Sequence, residues 1–227
     1  MFYLSLATAP IIALLIFVYL KDKYEREPLG LCLKIALFGA IATVPILLFE
    51  ILMSKFEYFL GNSQIMKAFW NSFMVAGLVE ETFKFLVIYL FIWKNKNFDE
   101  PFDGIVYATF ASLGFALVEN ILYVFENGAG TGILRAFTAV PAHTMFGITM
   151  GYFFGVAKFS DSNKTSLLAA SLVVPIFIHG FYDFILMSQN TLLLLLFVPF
   201  LIGMIFASFR LMKSHSNESP FKDNKLL

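Results

Sequence analysis

Residues 68–93 read AFWNSFMVAGLVEETFKFLVIYLFIW, a mostly apolar run with three ionisable side chains near its centre. The hydrocarbon core of a bilayer is about 30 Å thick, so an α-helix needs roughly 20 apolar residues to cross it. The run is long enough to cross, and Glu80, Glu81 and Lys84 then lie within the membrane. It predicts a transmembrane helix that carries charge into the bilayer.

Six further apolar runs of similar length predict a polytopic, all-α transmembrane bundle. The seven predicted spans cover residues 2–20, 31–53, 68–93, 104–125, 133–157, 167–187 and 191–212. Of the 227 residues, 59% are hydrophobic and 14% charged, whereas soluble domains have about half and a quarter. This balance excludes a water-soluble protein. We expect one transmembrane domain over residues 1–213 and a polar cytoplasmic tail over residues 214–227.

The charge content argues against nucleic-acid binding, and the cysteine content excludes an internal disulfide. The net charge is zero, so no basic field attracts nucleic acid, and the expected environment is the lipid bilayer. The single cysteine, Cys32, lies in an apolar stretch and cannot form an internal disulfide.

The distribution of positive charge predicts the orientation of the chain. Basic residues cluster on the cytoplasmic side of membrane proteins. With the N-terminus outside, the inner segments hold Lys21, Lys23, Arg26, Lys94, Lys96, Lys158, Lys164, Arg210, Lys213, Lys222 and Lys225. The outer segments hold only Lys55, Lys67 and Arg135. This bias favours an outer N-terminus and a cytoplasmic C-terminus.

Several later spans also contain ionisable residues, which are functional candidates by default because each costs about 2.5–3.5 kcal/mol at a helix centre. They are Glu119, His143, His179 and Asp183. A structural interpretation is available for two pairs: Glu80 with Lys84, and His179 with Asp183, are each four residues apart and can neutralise or orient one another. The adjacent Glu81 is not neutralised well by the same lysine.

The depth of these ionisable residues in the bilayer indicates whether they can meet at one site. Counted from the outer end of each span at 1.5 Å per residue, Glu80, Glu81, Glu119, His143 and His179 fall within a layer about 10 Å thick in the outer half of the bilayer. We therefore expect them to meet, and any bond that they cleave to lie near the outer face. The connector at residues 128–132, GAGTG, is predicted to be a mobile lip at the entrance.

Small residues indicate which way one of these side chains faces. Gly147, Gly151 and Gly155 follow His143 at four-residue intervals. Small residues at this spacing let helices approach closely in lipid. We therefore expect His143 to face other helices.

The ordered set of motifs resembles the PrsW intramembrane protease family. It consists of Glu80-Glu81-x-x-Lys84, Phe115-x-x-x-Glu119-Asn120, Ala142-His143 and His179-x-x-x-Asp183, with Tyr24–Pro28 and Phe98–Gly104 at connectors. The family is distantly similar to CAAX prenyl endopeptidases. The resemblance implies a multi-pass cell-membrane protease. It also implies site-1 cleavage of a single-pass anti-sigma factor, followed by sigma factor activation in a stress response.

The resemblance also implies roles for the charged residues. By similarity to the CAAX enzymes, Glu80 is the general base, and Glu81 is a candidate to share that role. Glu119 and Lys84 supply supporting charge.

The histidines have two alternative roles under the same resemblance. His143 and His179 position the attacking water or stabilise the oxyanion, while Asp183 orients His179. The same groups are also of the type that ligates zinc, which lowers the pKa of bound water. The chain lacks a His-Glu-x-x-His motif, so the sequence leaves the metal dependence open.

Other functional classes fit less well. A serine or cysteine protease lacks a suitably placed nucleophile, because Cys32 lies in the inner half and no Gly-x-Ser-x-Gly motif occurs. A proton-coupled transporter stays an alternative because buried carboxylates and histidines also form proton relays. A non-catalytic membrane scaffold is the third possibility.

The charge asymmetry yields a prediction about topology. A reporter fused after Leu227 is expected to be active only when the reporter is one that works in the cytoplasm. Activity of an extracytoplasmic reporter at the same fusion point would contradict the orientation.

Overall fold

The computed structural model describes residues 1–222, and every regular element in that range is helical. The helices are α1 (Phe2–Lys21), α2 (Leu29–Ser54), α3 (Gln64–Phe69), α4 (Leu78–Phe91), α5 (Pro101–Asn127), α6 (Ala129–Phe137), α7 (Ala139–Phe159), α8 (Lys164–Met187) and α9 (Thr191–Asn217). A 3₁₀ turn, Lys55–Leu60, follows α2, and a π-helical segment, Trp70–Gly77, joins α3 to α4.

Five helical segments are long and apolar enough to cross a membrane: α1, α2 with its 3₁₀ turn, α5, α8 and α9. Two others, α7 and the continuous segment from α3 to α4, complete the bundle and carry the polar residues of its interior. Their polarity is possible because these faces contact protein instead of lipid. The predicted all-α, multi-pass membrane bundle is confirmed.

The centre of the bundle is α5. Every residue from Phe102 to Ala116 is buried, as expected of a helix that is apolar on all sides. It packs against α7, α2 and α1. By contrast, α9 exposes large apolar side chains such as Leu192 and Leu195, which suit contact with lipid.

Glycines bring α5 into backbone contact with its neighbours. A Cβ atom on Gly151 of α7 would overlap the carbonyl oxygen of Gly104 and lie 2.5 Å from the Cα of Ile105. Gly39 of α2 and Gly114 of α5 are equally close to the backbone of the facing helix. The glycine stripe on the fifth predicted span therefore faces α5, as expected from its spacing.

The fifth predicted span, residues 133–157, is wrong in its first part. Thr138, with φ −123° and ψ −76°, separates the short α6 from α7, which begins at Ala139. Pro141 falls in the first turn of α7, where its missing N–H costs no helical hydrogen bond. The predicted lip at residues 128–132 is also different, because Ala129 onward is helical and only Gly128 connects α5 to α6.

The other boundaries differ by several residues. The third membrane segment begins at Gln64, four residues before the predicted start. At the C-terminus, α9 continues to Asn217, so the predicted domain boundary after residue 213 falls inside a helix. His215 is buried and its Nε2 lies 3.0 Å from the carbonyl oxygen of Tyr152. The last five residues of the predicted tail lie outside the described residues.

The contact between α5 and α7 generates a prediction about stability. Replacing Gly151→Val should force the helices apart and destabilise the protein by about 1–3 kcal/mol, the usual cost of overpacking. The measurement is the midpoint of thermal unfolding in detergent. The matched control is Gly203→Val on α9, where no atom lies within 4 Å of an added Cβ. Equal stability of the two variants would contradict the close contact.

Candidate active site

The first turn of α4 holds the paired glutamates, and one lysine one turn later contacts both. Lys84 Nζ lies 3.0 Å from Glu80 Oε2 and 2.8 Å from Glu81 Oε1. All three side chains are buried. The spacing of three and four residues places them on one helical face, so one ammonium group is shared between two carboxylates.

His143 of α7 extends this cluster to α5. Its Nδ1 lies 3.3 Å from Lys84 Nζ, and its Nε2 lies 2.9 Å from Glu119 Oε2. Because an ammonium group can only donate, Nδ1 accepts, and Nε2 carries the hydrogen directed at Glu119. The Ser112 hydroxyl donates to the backbone carbonyl of His143 at 2.7 Å, which fixes this part of α7 against α5.

His179 of α8 lies on the other side of the glutamate pair. Its Nδ1 is 2.9 Å from Glu81 Oε1, and its Nε2 is 3.2 Å from Asp183 Oδ2. Its ring stacks on Phe146 with centroids 4.5 Å apart. The rings of His143 and His179 have centroids 5.6 Å apart. The structure thus brings together the seven residues selected from the sequence.

A π-helical segment precedes the glutamate pair and contacts the helix that carries His179. Gly77, its last residue, approaches α8 so closely that an added Cβ would lie 3.0 Å from the carbonyl oxygen of Ile176. Gly180 in turn packs against the ring of Phe73. π-helical turns are rare in proteins, and those that do occur are often found at functional sites. This one sets the approach of α4 to α8.

A cavity of about 670 Å³ adjoins the cluster. Five of the seven selected residues line it: Glu80, Glu119, His143, His179 and Asp183. Glu81 and Lys84 do not line it and are completely buried. The two adjacent glutamates therefore differ, because the cavity reaches Glu80 whereas Glu81 is held by Lys84 and His179.

Three further charged residues, Glu50, Glu126 and Arg135, line the same cavity and were not predicted from the sequence. Arg135 of α6 donates to Glu119 Oε2 at 2.7 Å and to Asn120 Oδ1 at 2.8 Å. Glu50 of α2 lines the wall near Glu80. Glu50 was detectable as a carboxylate within the second predicted span. Arg135 had no such signal, because its position near the outer end of a span resembles an ordinary loop charge.

Comparison with known proteins identifies the family. A family profile described as PrsW family intramembrane metalloprotease matches residues 27–207. The chain belongs to the PrsW protease family. It is 40% identical to Protease PrsW of Geobacillus kaustophilus over 187 residues, which cover 82% of this chain and 80% of that protein. It is 40% identical to the Clostridioides difficile protein over 203 residues, covering 87% and 84%.

A third relative has a similar level of identity. Protease PrsW of Bacillus subtilis is 39% identical over 188 residues, covering 82% of this chain and 84% of that protein. No solved structure matches. Membership of the PrsW family supports an intramembrane protease in the cell membrane and agrees with the predicted family.

The family description names a metalloprotease, which raises the question of whether the residues of this site can bind a metal ion. Glu80, Glu81 and His143 each offer an atom within 4.8 Å of the others, and these residue types suit zinc. However, Lys84 Nζ contacts a ligand atom of all three, at 2.8–3.3 Å. A positive ammonium group already occupies the position that a cation would need. The arrangement does not fit a metal while Lys84 is in place.

Proposed function

We propose that this protein hydrolyses a peptide bond of a single-pass membrane protein by means of a water molecule that Glu80 activates. The observation that supports it most directly is the cavity wall, where the Glu80 carboxylate and two imidazoles are exposed to the same space. A cavity of this size is in the range of ligand sites. Cysteine chemistry is not supported, because Cys32 is buried in the apolar core and does not line the cavity.

The cavity favours Glu80 over Glu81 as the general base. A base must be within reach of the proton that it removes, and Glu80 lines the cavity whereas Glu81 does not. Lys84 holds Glu80 at 3.0 Å and fixes the orientation of its carboxylate. Glu81 bonds to Lys84 and His179 and therefore acts as a positioning residue.

The proposed reaction has two steps. Glu80 takes a proton from water while the water oxygen attacks the substrate carbonyl carbon, which forms a tetrahedral intermediate with a negative oxygen. The protonated Glu80 then gives its proton to the amide nitrogen, and the C–N bond breaks to give a carboxyl group and an amine. His179 and His143 lie on the cavity wall, and either one would donate to the negative oxygen only by exchanging a ring N–H contact that it now makes with a carboxylate.

Second contacts orient the two imidazoles. Asp183 faces His179 Nε2, and Glu119 faces His143 Nε2. Arg135 bonds to Glu119, so α6 contributes to this arrangement from the outer end of the bundle. These partners correspond to the orienting role that the sequence analysis gave to Asp183 and to the supporting charge given to Glu119.

The proposed substrate is a single-pass anti-sigma factor, and the proposed consequence is sigma factor activation in a stress response. This part rests on the family resemblance. The structure contributes the position of the cavity, which involves the second half of α5 and the end of α2. In the predicted orientation this is the outer side of the membrane, as required for a first cut outside the cytoplasm.

Cleavage of a candidate substrate in liposomes tests the mechanism. Glu80→Gln should lower the rate by about 10²–10⁴-fold, because it removes the general base and preserves shape. His143→Ala and His179→Ala should also abolish cleavage, with membrane insertion and abundance near normal. The matched control is Glu218→Gln, which makes the same chemical change at an exposed position and should retain activity.

The same assay separates the alternatives. A chelator should leave the rate unchanged, because Lys84 occupies the donor set. Loss of activity with chelator and recovery with zinc would contradict the metal-free mechanism but leave proteolysis intact. Proton flux through the wild-type protein without cleavage would favour the transporter, and loss of activity that follows loss of abundance would favour a purely structural role.

The position of the cut is a separate prediction. Carbonyl groups within a stable helix are already hydrogen-bonded and shielded, so unwound segments next to the membrane are better substrates. Sequencing the new N-terminus of the product should place the cut in or just outside the outer end of the substrate's span. A cut on the cytoplasmic side of that span is incompatible with the proposed placement.

A further inference from the structure

A second cluster of carboxylates lies at the opposite end of α5 from the cavity. It joins the connector between α1 and α2 to the start of α5. Asp103 and Glu119 are sixteen residues apart on one helix, which separates the two clusters by about 24 Å. One carboxylate oxygen from each of Glu25, Glu27 and Asp103 lies within 4.8 Å of the others. No residue of the proposed catalytic site takes part.

The two deepest carboxylates each have one oxygen held and one oxygen free. Asp103 Oδ2 accepts hydrogen bonds from the backbone N–H groups of Asp99, at 2.9 Å, and Glu100, at 2.8 Å. Glu27 Oε2 accepts a hydrogen bond from the Tyr107 hydroxyl. The other oxygens, Asp103 Oδ1 and Glu27 Oε1, are buried and receive no N–H or hydroxyl hydrogen bond among the described residues, so only a proton shared between the two carboxyl groups, or a cation, can compensate them.

Unsatisfied carboxylate oxygens are costly in a place that water does not reach. Asp103 and Glu27 are 0% and 1% exposed, and a buried charge without compensation is strongly unfavourable. Two more orphan oxygens, on Asp22 and Glu100, lie in the same region. The buried oxygens of Glu27 and Asp103 therefore require a compensating proton or cation.

We propose that Glu27 and Asp103, with Glu25 at the rim, bind one divalent cation of the oxygen-preferring kind, Mg²⁺ or Ca²⁺. Two oxygens on opposite sides of such an ion are about 4–5 Å apart, which agrees with the spread of these three ligand atoms. The set contains no histidine or thiol, the ligands that favour zinc. The Tyr107 hydroxyl and the two backbone N–H groups orient the ligands from the second shell.

The cation would connect two parts of the chain that have no covalent link nearby. Glu25 and Glu27 belong to the connector before α2, whereas Asp103 belongs to the first turn of α5. In the predicted orientation this connection lies at the cytoplasmic face, where Mg²⁺ is available. The bound ion stabilises the packing of α2 on α5, the central helix of the bundle.

Luminescence of Tb³⁺ tests the site on the full-length protein in detergent. Tb³⁺ prefers the same oxygen ligands, and excitation of a nearby tyrosine sensitises its emission. Tyr107 contacts Glu27 directly, so the wild-type protein should give sensitised emission that Ca²⁺ or Mg²⁺ displaces, and the stronger competitor identifies the ion. Tyr107→Phe should reduce the emission while Ca²⁺ binding persists.

A matched pair of variants, with a third as a control for the cavity, tests whether the Tb³⁺ emission comes from this carboxylate cluster. Glu27→Gln should weaken Tb³⁺ binding by at least about tenfold, whereas Asp161→Asn, at an exposed acidic position in another connector, should leave it unchanged. Glu80→Gln should also leave it unchanged, which separates this site from the cavity. Equal affinity of Glu27→Gln and wild type would overturn the proposal.

A second measurement uses only the wild-type chain, so it does not require any variant to fold. Trypsin cleavage after the exposed Arg26 should slow when Mg²⁺ or Ca²⁺ is added and speed up with chelator. Cleavage after the exposed Lys164, the first residue of α8, serves as the internal reference and should not change. If neither ion alters cleavage at Arg26 and neither displaces Tb³⁺, shared protons alone hold the cluster together and the proposal is wrong.

Discussion

The burial of one ammonium group among two carboxylates and an imidazole is the constraint on which the part of the bundle that holds the candidate active site depends. Lys84 is 0% exposed and contacts Glu80, Glu81 and His143 within 3.3 Å. Removing one partner of a buried ion pair typically costs about 3–5 kcal/mol, because the remaining charge is left without compensation. Lys84 does not line the cavity, so water there does not replace a missing partner, and α4 and α7, the two helices that provide these groups, must stay together.

Close helix packing makes that arrangement possible. Side chains as short as those of glutamate and histidine can meet only if the helix axes are near one another. The glycine contact of α7 with α5, at Gly151 and Gly104, brings the two backbones together, and Ser112 fixes the level of His143 along α5. The small residues of α7 thus set the distance between the helices, and the polar residues of α7 can interact across the helix interface because that distance is short.

Much of the fold follows from the sequence because the bilayer restricts the choices. Apolar length and the burial of backbone hydrogen bonds leave helices as the only spanning element in such a chain, and the depth count for Glu80 and His143 required only a rise per residue. The break at Thr138 was not predictable in this way. Residues 133–157 are mostly apolar and look continuous by length alone, although Thr138 is the N-cap of α7 and Pro141 lies in its first turn, both of which are common at a helix start.

The features of the site that depend on tertiary structure could not be predicted from the sequence either. Glu119, His179 and Asp183 were selected because a charge inside a span is expensive, and the structure brings them together. The division of labour between Glu80 and Glu81 depends on which one faces a cavity, which adjacent positions in a sequence do not reveal. Arg135 reaches Glu119 because α6 packs against α5, and its polarity alone gave no reason to select it.

The π-helical segment Trp70–Gly77 has a consequence for how this chain tolerates changes in length. A residue added to or removed from a helix rotates everything beyond it by about 100°. Glu80 and Glu81 follow the segment directly, whereas the connector at residues 61–63 precedes it. Insertions in that connector can be absorbed before the helix begins, but one residue lost from the π-helical turns would direct both carboxylates away from the histidines. Natural length variation in this part of the family should therefore be confined to the connector, with the π-helical segment constant in length.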